Sequence, residues 1–124
     1  MHIVNKSNSR RYQRDNITSY LLAAESSTGA KHITTSLVEM DAGGRQHVHS
    51  HPTEQCYFII EGAGEMTVGG QTQPVTAGDT VFIPSNAPHG LVNTGGGVLR
   101  YLSAGSPPFG AKAELELWPL GPVE

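Results

Sequence analysis

The stretch GGRQHVHSHPTEQCYFIIEG, residues 43–62, decides how the chain is read. It carries His47, His49 and His51, three of the protein's six histidines. Alternate residues of a β-strand share a face, so an extended segment here lines one wall with imidazoles. Neutral imidazole is the commonest protein ligand for transition metals, which makes that wall a candidate metal site. Pro52 has no N–H and ends or edges this strand. Residues 55–60 read as the next strand, with Gln55, Tyr57 and Ile59 on one face and Cys56, Phe58 and Ile60 on the other. Both faces are apolar, as expected inside a barrel or sandwich.

Upstream, residues 31–40 are rich in β-branched side chains and alternate, so they read as a strand, and residues 41–44 (DAGG) as a turn. Residues 17–24 (ITSYLLAA) fit a strand or a short helix equally well. Residues 1–16 are polar and locally basic, with Lys6, Arg10, Arg11 and Arg14, and read as a solvated N-terminal arm. Downstream, residues 65–68 and 71–75 form a hairpin about Gly69-Gly70, a pair that accepts positive φ at both positions. A short strand follows at 80–83. The rigid loop PSNAP, residues 84–88, then delivers His89 to a strand over 90–93, and a further strand runs over 98–103. Gly105, Ser106, Pro107 and Pro108 break the pattern and open a C-terminal arm over about 104–124. In that arm residues 112–118 alternate as an edge strand, and Trp118 is placed to anchor the tail on the domain or on a partner subunit. About nine short strands and almost no helix make an all-β antiparallel barrel or jelly roll the expected fold.

Composition narrows the class. A length of 124 residues suits one domain, taken as 1–124. Charged residues make up 15% and hydrophobic residues 37%, a globular balance. The net charge of −3 gives no reason to expect nucleic acid as a partner. Cys56 is the single cysteine, so no internal disulfide is possible, which fits a reducing compartment. No apolar run approaches the roughly 20 residues that span a bilayer, and the N-terminus shows no apolar leader. A soluble cytoplasmic protein, expected as a homodimer, with no nucleic acid and no membrane partner, is the reading.

Two spaced motifs now resemble the cupin family. The first places Gly43, five residues, His49-Ser50-His51, three residues, Gln55, six residues and Gly62. The second places Gly78, five residues, Pro84-Ser85-Asn86, two residues, His89, three residues and Asn93. Gln55 stands where the family usually has Glu. Asn86 stands where it has Gly, a mild change because Asn tolerates left-handed backbone. The resemblance implies a cupin double-stranded β-helix, a jelly-roll-like barrel holding a metal near its open end. His49, His51, Gln55 and His89 match the family's ligand positions. Strand parity separately puts His49, His51 and Gln55 on one side.

The implied cofactor is one divalent transition metal ion per chain, Fe, Mn, Ni, Zn or Cu. With Gln in place of Glu, the ligand set of three imidazoles and an amide carries no charge. The ion keeps a charge of about +2 and acts as a stronger Lewis acid towards an anionic substrate or hydroxide. Hard ions such as Mg²⁺ fit such a site poorly. An alternative register uses His47, His49 and Glu54, restoring a carboxylate at the expense of the spacing to Gly62. In the main register His47 becomes a group at the pocket mouth. Tyr57, His47 and Asn93 are the candidate polar or proton-transfer partners. Met40, Phe82 and Tyr101 are core or pocket-lining side chains, Arg100 is a substrate-carboxylate partner or a surface charge, and Cys56 is a small core residue. His2 and His32 read as structural. The functional expectation is a metal-dependent enzyme acting on a small organic substrate, of oxygenase, isomerase or lyase type. The alternative is a non-catalytic cupin that binds or senses a small molecule.

Overall fold

Ten strands in two antiparallel sheets form the described part of the chain. A computed structural model describes residues 1–109; the edge arm at 112–118 and Trp118 lie outside the described residues. In chain order the strands are β1 (Arg10–Arg14), β2 (Ile17–Leu21), β3 (Thr34–Met40), β4 (Arg45–His49) and β5 (Glu54–Glu61). They continue as β6 (Ala63–Val68), β7 (Gln71–Thr76), β8 (Thr80–Ile83), β9 (His89–Asn93) and β10 (Leu99–Ser106). A one-turn helix, α1 (Glu25–Thr28), joins β2 to β3 and ends on Gly29 in the left-handed region. One sheet has six strands in the order β1-β2-β3-β10-β5-β8, the other four in the order β4-β9-β6-β7.

Alternation puts the apolar core between the sheets. Along β3 every second residue from Thr34 to Met40 is buried. Tyr57 and Ile59 of β5, Leu91 of β9, and Leu99 and Tyr101 of β10 meet them inside. Gly69 and Gly70 turn the β6–β7 hairpin with positive φ at both. Asn86 takes φ of 64°, the left-handed conformation expected of it in the second motif. Among the described residues no helix is long and apolar enough to cross a membrane.

Two local expectations need correction, and one open reading is decided. Residues 10–14 are not a solvated lead-in but the edge strand β1, paired with β2 and pinned by the buried ring of Tyr12. Residues 17–21 resolve as a strand. The C-terminal arm does not begin at 104, because β10 runs on through Ser106. Gly105 pairs with Thr34 and Gln55 rather than breaking the strand. A Cβ there would lie 2.8 Å from Thr53 Cγ2 and 3.2 Å from Gln55 Cγ, so this glycine serves close approach rather than a turn.

Candidate metal centre

His49, His51 and His89 converge although 40 residues separate the first from the last. Their possible ligand nitrogens all lie within 4.8 Å of one another. The rings of His49 and His89 are 4.3 Å apart, and those of His51 and His89 4.8 Å. β4 and β9 pair directly, with His49 opposite His89. The loop before His89 is tied to the first motif, because Asn86 N donates to His51 O at 2.8 Å.

Backbone carbonyls fix the tautomers. Nδ1 of His49 lies 2.8 Å from His47 O, Nδ1 of His51 2.9 Å from Thr53 O, and Nδ1 of His89 2.9 Å from Ala87 O. A carbonyl oxygen only accepts, so each Nδ1 carries the proton and each Nε2 keeps its lone pair. This is the arrangement in which imidazole ligates a cation while its other nitrogen is held by the protein. Burial pushes the His49 imidazole below its ordinary pKa, and pushes His89 down to about 4, with the neighbouring His49 and His51 adding to the shift. Both are therefore neutral near pH 7, and a metal need not displace a proton from them.

Gln55 is 6% exposed, and its Nε2 donates to Ser103 Oγ at 2.9 Å. That bond leaves Gln55 Oε1 as a buried acceptor with no partner, and His89 Nε2 is another. Leaving a buried polar atom unpaired costs about 1–3 kcal/mol. Two orphaned electron-pair donors, one of them in a group of three imidazoles, fit a cation. The described buried polar side chains include no Asp, Glu, Lys or Arg, so the protein supplies this interior with no compensating charge.

The structure separates the remaining candidates. Between Gln46 and His49 the β4–β9 register shifts: three residues on β4 span two on β9, a β-bulge. Parity is thereby broken. Gln46, not His47, is buried, and His47 is exposed, contributing to the cluster only its carbonyl to His49. Glu54 is also exposed while Gln55 is buried, so the alternative register does not bring a carboxylate inside. Asn93 has its amide fully engaged: Nδ2 donates to the carbonyls of Met40, Asp41 and Gly97, and Oδ1 accepts from Gly95 N. It clamps the β3–β4 and β9–β10 turns and has no polar atom left for proton transfer. Arg100 faces outward and pairs with Glu39 and Glu61. Met40 is core, Phe82 is 57% exposed, and Cys56 is half-buried on the outer face of β5. His2 and His32 are exposed.

Tyr57 does sit by the histidines, its ring 6.3 Å from that of His89 and stacked on Tyr101 at 4.3 Å. Gln46 Nε2 donates to both phenol oxygens, at 3.2 and 3.3 Å. Burial pushes the Tyr57 hydroxyl up to about 12, so it acts as a hydrogen-bonding phenol and not as a base at neutral pH. Gln46 and Ser103 were not singled out from sequence. The bulge hid Gln46. Ser103 shares the inward parity of Tyr101 within the strand expected over 98–103, so strand alternation carried the signal that could have found it.

Two antiparallel β-sheets packed face to face, with three histidines brought together from β4, the segment after it and β9, define a β-barrel class with a candidate metal site. The family model described as "Cupin domain" matches residues 36–105, more than half of the chain, and the chain belongs to the cupin family. An uncharacterized protein of Methanocaldococcus jannaschii is 37% identical over 82 residues, covering 64% of this chain and 66% of that protein. Dimethylsulfoniopropionate lyase DddQ of Ruegeria pomeroyi is 35% identical over 77 residues, 60% of this chain and 38% of the lyase. The chain thus spans between about a third and two thirds of the length of these relatives. The crystal structure of a predicted oxalate decarboxylase from Thermotoga maritima superposes with a TM-score of 0.75 at 22% identity, covering 86% of this chain and 98% of that one.

Proposed function

We propose that this cupin is a metal-dependent enzyme acting on a small anionic organic molecule. His49, His51, His89 and Gln55 would hold one divalent transition metal ion, Fe, Mn, Ni, Zn or Cu. The observation that carries the proposal is the set of three Nδ1–carbonyl bonds, which leaves Nε2 as the free nitrogen of each ring in a cluster whose possible ligand nitrogens lie within 4.8 Å of one another. When bound, such an ion supplies Lewis-acid polarisation of a coordinated oxygen. Ser103 holds the Gln55 amide so that its oxygen, not its nitrogen, is left free. Because the buried described residues bring no carboxylate, the negative charge that offsets a buried cation comes from outside the protein, from an anionic substrate or from hydroxide. Tyr57, with Gln46 and Tyr101, provides a polar wall beside His89 that orients an oxygen-rich molecule by hydrogen bonds. Of the oxygenase, isomerase and lyase chemistries, the lyase class has support from the likeness to DddQ.

A binding-only role is the second reading. Its specific support is that Tyr57, pushed up to about 12, and His89, pushed down to about 4, are not poised for proton transfer near pH 7. The test loads the protein separately with Fe²⁺, Mn²⁺, Ni²⁺ and Zn²⁺ and presents a panel of 2-oxo- and 2-hydroxycarboxylates, followed by NMR. Turnover that disappears in the folded His49→Ala/His89→Ala variant supports the enzyme. Saturable metal-dependent binding without turnover supports the binder. Absence of anion binding by every metal-loaded form refutes both.

A further inference from the structure

Past the end of β10 the chain runs alongside His51 and is held there by two buried threonines. Thr53 Oγ1 donates to Pro107 O at 2.9 Å, and Phe109 N donates to Thr34 Oγ1 at 3.1 Å. The carbonyl of the same Thr53 accepts from His51 Nδ1, so one residue fixes both the imidazole and the chain beside it. Phe109 is buried as a result. Its ring stands edge-on to that of His51, with centroids 5.0 Å apart and planes at 84°. The three histidines therefore differ in what borders them. His49 is half-buried and nearest to solvent. His89 has the phenol of Tyr57 beside it, with Gln46 donating to that phenol. His51 has a hydrocarbon ring.

We propose that Phe109 is a specificity-determining side chain of this site, an apolar wall on its His51 side that admits only a compact hydrocarbon substituent. The inference rests on reading the three histidines and Gln55 as a metal centre that takes an anion. A substituent directed at Phe109 gains by burying hydrocarbon there. A hydroxyl or a second carboxylate gives up water and finds no hydrogen-bond partner on the ring. Two rings already in edge-to-face contact leave no gap for a third between them, so the substituent is small as well as apolar. The wall is also firmly held. Its backbone is hydrogen-bonded at Pro107 and at Phe109. Just upstream, Gly105 packs so closely that a Cβ there would lie 2.8 Å from Thr53 Cγ2. The substrate class that follows is a short carboxylate, with its oxygens gathered at the histidines and Tyr57 and a small hydrocarbon group at the other end. Dicarboxylates and sugar acids, polar at both ends, are disfavoured.

The experiment titrates the Ni²⁺-loaded full-length chain with acetate, isobutyrate, succinate and benzoate by isothermal titration calorimetry. Acetate, with only a methyl group, reports the metal centre; the other three report the wall. The wild type should bind isobutyrate about tenfold tighter than benzoate, and tighter than succinate. Phe109→Ala should leave acetate affinity within about twofold and shift the isobutyrate-to-benzoate ratio about tenfold towards benzoate. Phe109→Leu keeps a buried apolar side chain and should shift the ratio the same way by less, which reads the effect even where the alanine variant does not fold. Thr53→Val removes the bond to Pro107 but keeps the methyl against Gly105, and should also favour benzoate. An unchanged ratio in the folded Phe109 variants, with acetate binding intact, overturns the wall and leaves the metal centre standing. A wild type that binds benzoate or succinate as tightly as isobutyrate overturns it too. Absence of acetate binding by the metal-loaded wild type overturns the wall together with the reading it rests on.

Discussion

Replacing Ser103 by Ala isolates the role of one buried hydroxyl. In the wild type Gln55 Nε2 has Ser103 Oγ at 2.9 Å, and the two side chains are 6% and 3% exposed. Removing the hydroxyl strands an amide N–H in the interior, which destabilises the metal-free protein by about 1–3 kcal/mol. For a chain of this length the Tm falls by roughly 3–12 °C. It also frees the amide to turn, so that either its oxygen or its nitrogen would be presented to the proposed ion. Loss of such an orienting partner lowers metal affinity about 10- to 100-fold. The decisive control is a double-mutant cycle with Gln55→Glu. The two oxygens of a carboxylate are equivalent, so Ser103 no longer decides which atom is presented, and Ser103→Ala should change affinity less than about 3-fold in that background. Zinc affinity by competition with a chromophoric chelator reads all four corners. Equal losses in both backgrounds, or none in the wild type, would refute the idea that Ser103 orients a ligand.

Two further substitutions and a titration test other parts of the account. Gly62 sits at φ of 93°, and a Cβ there would come 2.5 Å from Val98 O and 3.0 Å from Leu99 Cα, both backbone atoms. Gly62→Ala should lose about 3 kcal/mol or more, a Tm drop of roughly 10 °C. Gly69→Ala, with φ of 57° and nothing within 4 Å of its Cβ, should lose only about 1 kcal/mol of strain; similar melting points for the two variants would contradict the close approach at Gly62. The metal-free protein should melt at lower temperature as the pH falls from 6.5 towards 4. His89 is held neutral in the fold down to about 4, so the unfolded chain takes up its proton first, and stability present above about pH 6.5 is lost below it. His89→Asn should flatten that dependence, and an unchanged slope would show that His89 does not cause it.

How far the residues alone reach is instructive at particular positions. The spaced motifs from Gly43 to Asn93 bring His49, His51 and His89 to one place, because turns at Gly62, Gly69-Gly70 and Asn86 fix the strand order that pairs β4 with β9. Parity worked along β5, where Gln55, Tyr57 and Ile59 are inward. It failed at His47, because a β-bulge inserts one residue and such an insertion leaves no mark on the hydrophobic pattern. Asn93 looked chemical by type, and only the positions of Met40, Asp41, Gly95 and Gly97 reveal that its amide is structural. β1 escaped detection because its one core contact is Tyr12, flanked by arginines whose aliphatic stems are content at a sheet edge. Gly105 read as a breaker because the sequence does not show the Gln55 side chain packed against it.

The most direct measurement is anomalous diffraction from crystals of the metal-loaded protein, collected on both sides of the metal's absorption edge. A single peak about 2.1 Å from Nε2 of His49, His51 and His89, with Gln55 Oε1 completing the protein's share of the shell, is the expected result. A peak bound through Nδ1, or one located away from these three rings, would contradict the account.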